Sequence, residues 1–142
     1  MKNLFFTLIA ILGTMSLSAQ PSLISSNDLP ADAQKFLTEN FKEKVEYVKK
    51  DNKFFDEYEV RLADGTEIEF DSKGNWKEVD SKKNALPTGF IPAKIQKYAA
   101  DKFPNTHIKK IERGVLGKYE VKLSNGLELE FNSDGDFKRI DD

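Results

Sequence analysis

Two pairs of glutamates, Glu67/Glu69 and Glu128/Glu130, stand at the spacing that puts both carboxylates of a pair on one side of an extended strand. Two carboxylates on one face are what a glycosidase uses, one as acid and one as base or nucleophile. Here each pair alternates with apolar residues, Ile68 and Phe70 or Leu129 and Phe131. Lys77 and Lys138 are expected beside Glu69 and Glu130, so a solvated charged face is preferred to a catalytic pair. Other catalytic parts are sparse. His107 is the only histidine and there is no cysteine, so a catalytic dyad or a zinc site lacks its usual members. Asn132-Ser133-Asp134-Gly135-Asp136 has a faint likeness to a calcium loop. Its glycine is fourth rather than sixth, and the matching Asp71-Ser72-Lys73-Gly74-Asn75 carries a lysine at its centre, so both are read as hairpin turns. Trp76, the only tryptophan, could anchor a partner, but its expected pairing with Phe70 favours the core. Phe54 and Phe55 are adjacent; in a strand they would face opposite ways, leaving one free for contact.

Most of these side chains lie in a stretch written twice, Tyr58–Asp80 returning without a gap as Tyr119–Asp141. Tyr58, Val60 and Leu62, then Ile68 and Phe70, alternate with charged residues, the period of a half-buried antiparallel strand. Asp64-Gly65 and Asn125-Gly126 between the runs signal hairpins. A two-residue loop would put the two apolar rows on opposite faces. A three-residue loop, Ala63-Asp64-Gly65 with the glycine left-handed, pairs Val60 with Ile68 and Tyr58 with Phe70 and keeps one face apolar. By the same logic Ser72-Lys73-Gly74 pairs Phe70 with Trp76 and Glu69 with Lys77; Ser133-Asp134-Gly135 pairs Phe131 with Phe137 and Glu130 with Lys138. Val79 and Ile140 then fall on the charged face.

Upstream of each stretch, Leu29-Pro30-Ala31 and Ile91-Pro92-Ala93 open helices, proline being tolerated in a first turn. Ala33, Phe36, Leu37 and Phe41 recur at helical spacing, and Pro104 ends the second helix near Phe103. Val45 to Lys50 and Ile108 to Arg113 read as first strands. The chain is thus expected to be α+β. Two tandem helix-plus-four-strand repeats, 29–80 and 91–141, form one antiparallel sheet of about eight strands with two helices packed on one face. Residues 1–19, with Lys2, an apolar run Leu4 to Leu12 and small residues to Ala19, read as a secretory signal peptide, too short for a comfortable span. Residues 20–28 read as a linker. No cysteine follows the apolar run, which excludes a bacterial lipid anchor. A net charge of −2, with 32% charged and 39% hydrophobic residues evenly mixed, offers no basic block for nucleic acid. Without disulfides, two copies of this size need a shared core.

The tandem Leu/Ile-Pro-Ala helices, the Tyr-Glu-Val-Arg/Lys-Leu strands, the Asp/Asn-Gly turns and the Glu-Ile/Leu-Glu-Phe strands resemble the secreted PepSY-like proteins, which have the fold of the β-lactamase inhibitory protein. The resemblance covers about residues 25 to 142 and implies the fold; a related module occurs in peptidase propeptides. The inhibitory protein carries disulfides and this chain none, so inhibition of a β-lactamase is not carried over. The expected function is a secreted or periplasmic, non-catalytic, inhibitor-like binding module that needs no cofactor and meets a protein or peptide. The expected contact residues are Phe54, Phe55, Glu59, Arg61, Glu67, Glu69, Lys77, Glu120, Lys122, Glu128, Glu130 and Lys138. The alternative is an envelope protein that binds a small molecule or a cation such as calcium through the acidic rows.

Overall fold

A computed structural model of the chain describes residues 21–141; the expected signal peptide lies outside them. Each helix starts at the residue after a proline: α1 is Ala31–Asn40 and α2 is Ala93–Lys102. No side chain caps the first turn of either helix. Instead a glutamine one turn in reaches back to the entering chain. Gln34 Nε2 donates to the Leu29 carbonyl at 2.7 Å, and Gln96 Nε2 to the Ile91 carbonyl at 2.6 Å. These bonds fix the angle at which the chain enters each helix.

Among the described residues nine strands form a single antiparallel sheet whose spatial order is the order of the sequence. They are β1 (Ser22–Ile24), β2 (Val45–Asp51), β3 (Glu57–Leu62), β4 (Glu67–Phe70), β5 (Trp76–Asp80), β6 (Ile108–Arg113), β7 (Tyr119–Leu123), β8 (Glu128–Phe131) and β9 (Phe137–Asp141). The architecture is α+β, with one more strand than the expected eight. The added strand comes from the segment read as a linker, where Ile24 pairs with Val48 at the sheet edge.

The three-residue turns form as expected. Gly65 (φ +91°) closes the β3–β4 turn, with Val60 opposite Ile68 and Tyr58 opposite Phe70. Gly74 (φ +89°) closes the β4–β5 turn, and Phe70 faces Trp76. The next pair differs from expectation. Glu69 lies opposite Glu78, not Lys77, because the register shifts between Glu69 and Phe70. Lys77 is thus the extra residue of a β-bulge. The bulge returns Val79 to the apolar side, opposite Ile68, and buries it completely. The second half has the same shift: Glu130 faces Arg139 rather than Lys138, and Ile140 faces Leu129. Ile140 is still 44% exposed, since β9 is an edge strand among the described residues.

With the bulges in place, one aliphatic row crosses the whole sheet. Ile24, Val48, Val60, Ile68, Val79, Ile111, Val121, Leu129 and Ile140 are successive cross-strand partners. The seven from Val48 to Leu129 are at most 1% exposed. At about 1.5 to 3 kcal/mol for each buried side chain, this row is a principal source of stability in a chain without disulfides. Both helices cover it. Ala33 and Leu37 of α1, with Ile95 and Ala99 of α2, join the same core. The Phe36 ring meets those of Phe70 at 5.7 Å and Trp76 at 6.3 Å. Tyr98 stacks on Phe137 at 4.3 Å. Among the described residues the opposite face of the sheet carries no helix.

Candidate functional site

The open face is defined by the same register. Residues next to the aliphatic row point the other way, and they too line up across the strands. Lys49, Glu59, Glu69, Glu78, Glu112, Glu120, Glu130 and Arg139 are successive cross-strand partners. Six adjacent strands therefore each present a glutamate, with a cation at either end. Strands lie about 4.8 Å apart, so the glutamate row runs roughly 24 Å.

Like charges directly opposite one another are destabilising, and the row is only partly compensated. Arg139 reaches Glu130 at 2.8 Å, Lys49 reaches Glu59 at 3.8 Å, and Lys110 reaches Glu78 at 3.1 Å from the neighbouring row. Among the described residues Glu69, Glu112 and Glu120 have no ion-pair partner within 4.0 Å. Partial desolvation, then the charge of Glu78, hold the Glu69 carboxyl above its ordinary range, with Lys77 opposing. Desolvation, then Glu128 and Glu112, do the same to Glu120.

The parallel row beside it is balanced. Arg61, Glu67, Asp80, Lys110, Lys122, Glu128 and Asp141 follow one another across the sheet. Arg61 lies 3.6 Å from Glu67, Lys82 lies 3.0 Å from Glu67, and Lys122 lies 3.5 Å from Glu128. The uncompensated charge of the face is thus confined to one line.

The expected contact residues divide accordingly. Glu59, Arg61, Glu67, Glu69, Glu120, Lys122, Glu128 and Glu130 share the open face. Lys77 stands in the bulge and turns to Glu57, its Nζ 2.6 Å from that carboxylate. Lys138 is exposed and stands at the corresponding shift. Phe54 and Phe55 are both exposed, at 81% and 77%, because they occupy the β2–β3 connection rather than a strand. The β6–β7 connection similarly exposes Val115 and Leu116. Sequence reasoning missed Glu78, Glu112, Lys49 and Arg139. Allowing one extra residue at Lys77 and one at Lys138 would have found Glu78 and Arg139.

The remaining chemical candidates are structural. His107 is exposed, with Nε2 2.8 Å from the Lys83 carbonyl oxygen. Asp71 is drawn into its own turn, accepting from the amides of Lys73 and Asn75 at 2.9 Å. Burial works against its ionisation, but the bonds from Asn75 and the turn amides prevail and keep the carboxyl below its ordinary range. Asn132 fills the same place with a neutral side chain, accepting from Asp134 and Asp136. Among the described residues no three His, Asp or Glu side chains gather as metal ligands would, and no helix is long and apolar enough to cross a membrane.

The chain is similar to three solved bacterial structures. One, from Bacteroides thetaiotaomicron, is described as "a putative calcium-regulated periplasmic protein". It is 40% identical, with a TM-score of 0.82 over 86% of this chain and 97% of its own. A second, from Bacteroides vulgatus, is described as a periplasmic protein of the DUF2874 family; it is 37% identical, with a TM-score of 0.81 over 88% of this chain and 99% of its own. A third, also from Bacteroides vulgatus and described as a periplasmic protein of unknown function, is 38% identical, with a TM-score of 0.80 over 87% and 100%. No curated protein matches the sequence. The family model described as "Putative beta-lactamase-inhibitor-like, PepSY-like" matches residues 56–139, from the end of the β2–β3 connection into β9. With more than half its length matched, the chain belongs to the PepSY-like family.

Proposed function

We propose that the protein is a periplasmic binding module without catalytic activity, exported by its first 19 residues and built from two copies of one helix-plus-four-strand unit. It meets a protein or peptide through the open sheet face. The observation that carries this reading is the glutamate row, a line of like charge that lowers the stability of the free fold. A partner with an extended run of lysine or arginine would neutralise it at matching spacing. The exposed Phe54 and Phe55 add an apolar contact at the end of the sheet. Capture from a periplasmic extract tests the reading, with the wild type, Glu69→Lys/Glu120→Lys and Phe54→Ser/Phe55→Ser compared at equal folded content. The expected result is a partner held by the wild type, released by the charge reversal and weakened by the serine pair. Equal capture by all three removes the proposed surface.

The second reading is a cation binder. It draws on the same carboxylates and on the similar protein described as calcium-regulated. Calcium titration by calorimetry separates the two, since a ligand at 100 times its Kd stabilises the fold by about 2.7 kcal/mol.

A further inference from the structure

At the end of the sheet, beside the glutamate row, lies a cleft of about 490 Å³. Its apolar wall is Trp76 and Phe55, and Ser72 and Asn75 of the β4–β5 turn supply polar edges. Arg113 completes it. The Arg113 guanidinium lies 4.6 Å from the centre of the Trp76 ring, a cation–π placement.

The electrostatics of the cleft depend on which charges are already engaged. Three carboxylates and a lysine also line it, Asp56, Glu57, Asp71 and Lys77. Asp56 is 3.2 Å from Lys50 Nζ. Glu57 is 2.6 Å from Lys77 Nζ, which accounts for both of those groups. Asp71 accepts from the amides of its own turn. Arg113 alone among the charged lining residues has no hydrogen bond or ion pair to a described side chain. Asp71 keeps its negative charge, since neutral amides hold it ionised, so the cleft is close to neutral overall and Arg113 is its one cation without an ion-pair partner among the described residues.

We propose that this cleft binds a carboxylate attached to an apolar or aromatic group. Arg113 takes the carboxylate in a two-pronged hydrogen bond, and Trp76 and Phe55 flank the apolar part. Such a ligand is either the C-terminal residue of a polypeptide or a free N-acylated amino acid. This site shares Phe55 with the proposed sheet-face contact but not the glutamate row, so Arg113→Gln tests the cleft and Glu69→Lys/Glu120→Lys tests the row independently.

Trp76 is the only tryptophan in the chain, so its emission reports on the cleft directly. The test titrates the full chain with N-acetylphenylalanine, with its amide N-acetylphenylalaninamide, and with the free acid of N-acetyl-Ala-Ala-Phe. The acids are expected to change the emission saturably, with the amide about tenfold weaker or more, as for loss of a charged hydrogen-bond partner. Arg113→Gln is expected to abolish the preference for acid over amide while calorimetry still finds a folded protein; Arg113→Lys retains part of it. Tighter binding of the peptide acid assigns the polypeptide end as the source, and tighter binding of N-acetylphenylalanine assigns the small acid. Equal binding of acid and amide, a preference that survives Arg113→Gln, or no saturable response at millimolar concentration overturns the proposal.

Discussion

At the scale of single residues, Gly65 and Gly74 separate two demands that sequence alone conflates. Both are left-handed turn glycines, at φ +91° and +89°. A Cβ on Gly65 meets nothing within 4 Å, whereas one on Gly74 falls 2.9 Å from the Ala33 backbone nitrogen and from Pro30 Cβ. Gly74 is thus the point where the β4–β5 turn slides under the start of α1. Gly65→Ala is expected to cost about 1 kcal/mol, the left-handed backbone penalty alone. Gly74→Ala adds overpacking against the helix and is expected to cost roughly 2 to 4 kcal/mol. Urea unfolding of both variants measures the difference, and equal losses would mean that the helix start yields without strain. The sequence marks both glycines as turn residues; only the packing distinguishes them.

Among the elements, β5 and β9 carry the main lesson. Period two from Trp76 onward puts Val79 on the charged side, and the same count puts Ile140 there. The bulge at Lys77 brings Val79 into full burial, while Ile140 faces the same side at a sheet margin and stays 44% exposed. Val79→Ala is therefore expected to lower stability by about 2 kcal/mol and Ile140→Ala by less than about 1. Thermal or urea unfolding decides between this and an outward Val79, for which both losses would be small. What was legible in the sequence was what local chemistry fixes: helices opened by proline and turns closed by Asp-Gly, Asn-Gly and Ser-Lys-Gly. A bulge leaves no such mark, since an inserted residue looks like any other member of an alternating run. β1 was hidden for another reason, as three residues with Leu23 71% exposed make no pattern long enough to see. The glutamate row needed both the bulge and the pairing of β5 with β6 across the α2 connection, which no short stretch encodes.

For the molecule as a whole, the two faces of the sheet act in opposite directions: one supplies the core and the other strains it electrostatically. The strain has a definite pH dependence. The folded-state Glu69 carboxyl titrates above its ordinary value of 4.5, so the folded protein holds that proton more tightly than the unfolded chain does. Stability then falls as pH rises from the ordinary value to the raised one, and stays reduced above it. Glu69→Gln, which cannot ionise, is expected to raise the melting temperature at pH 7 and to leave it nearly unchanged below about pH 4. Melting curves across that range check the sign; a variant less stable than wild type at pH 7 would mean that the carboxylate is compensated. Added salt, which screens exposed charge, is expected to shrink the gain.

Strand order that follows the sequence also governs how the molecule comes together. Each strand pairs only with its chain neighbours, so no strand waits for a distant segment and the longest closure is the α2 connection between β5 and β6. Contact order is correspondingly low for so large a sheet, which removes much of the usual delay of β-rich folding. Hairpins can zip up in turn as the chain lengthens, N-terminal half first. The early strands would then rest on α1 before the last four arrive.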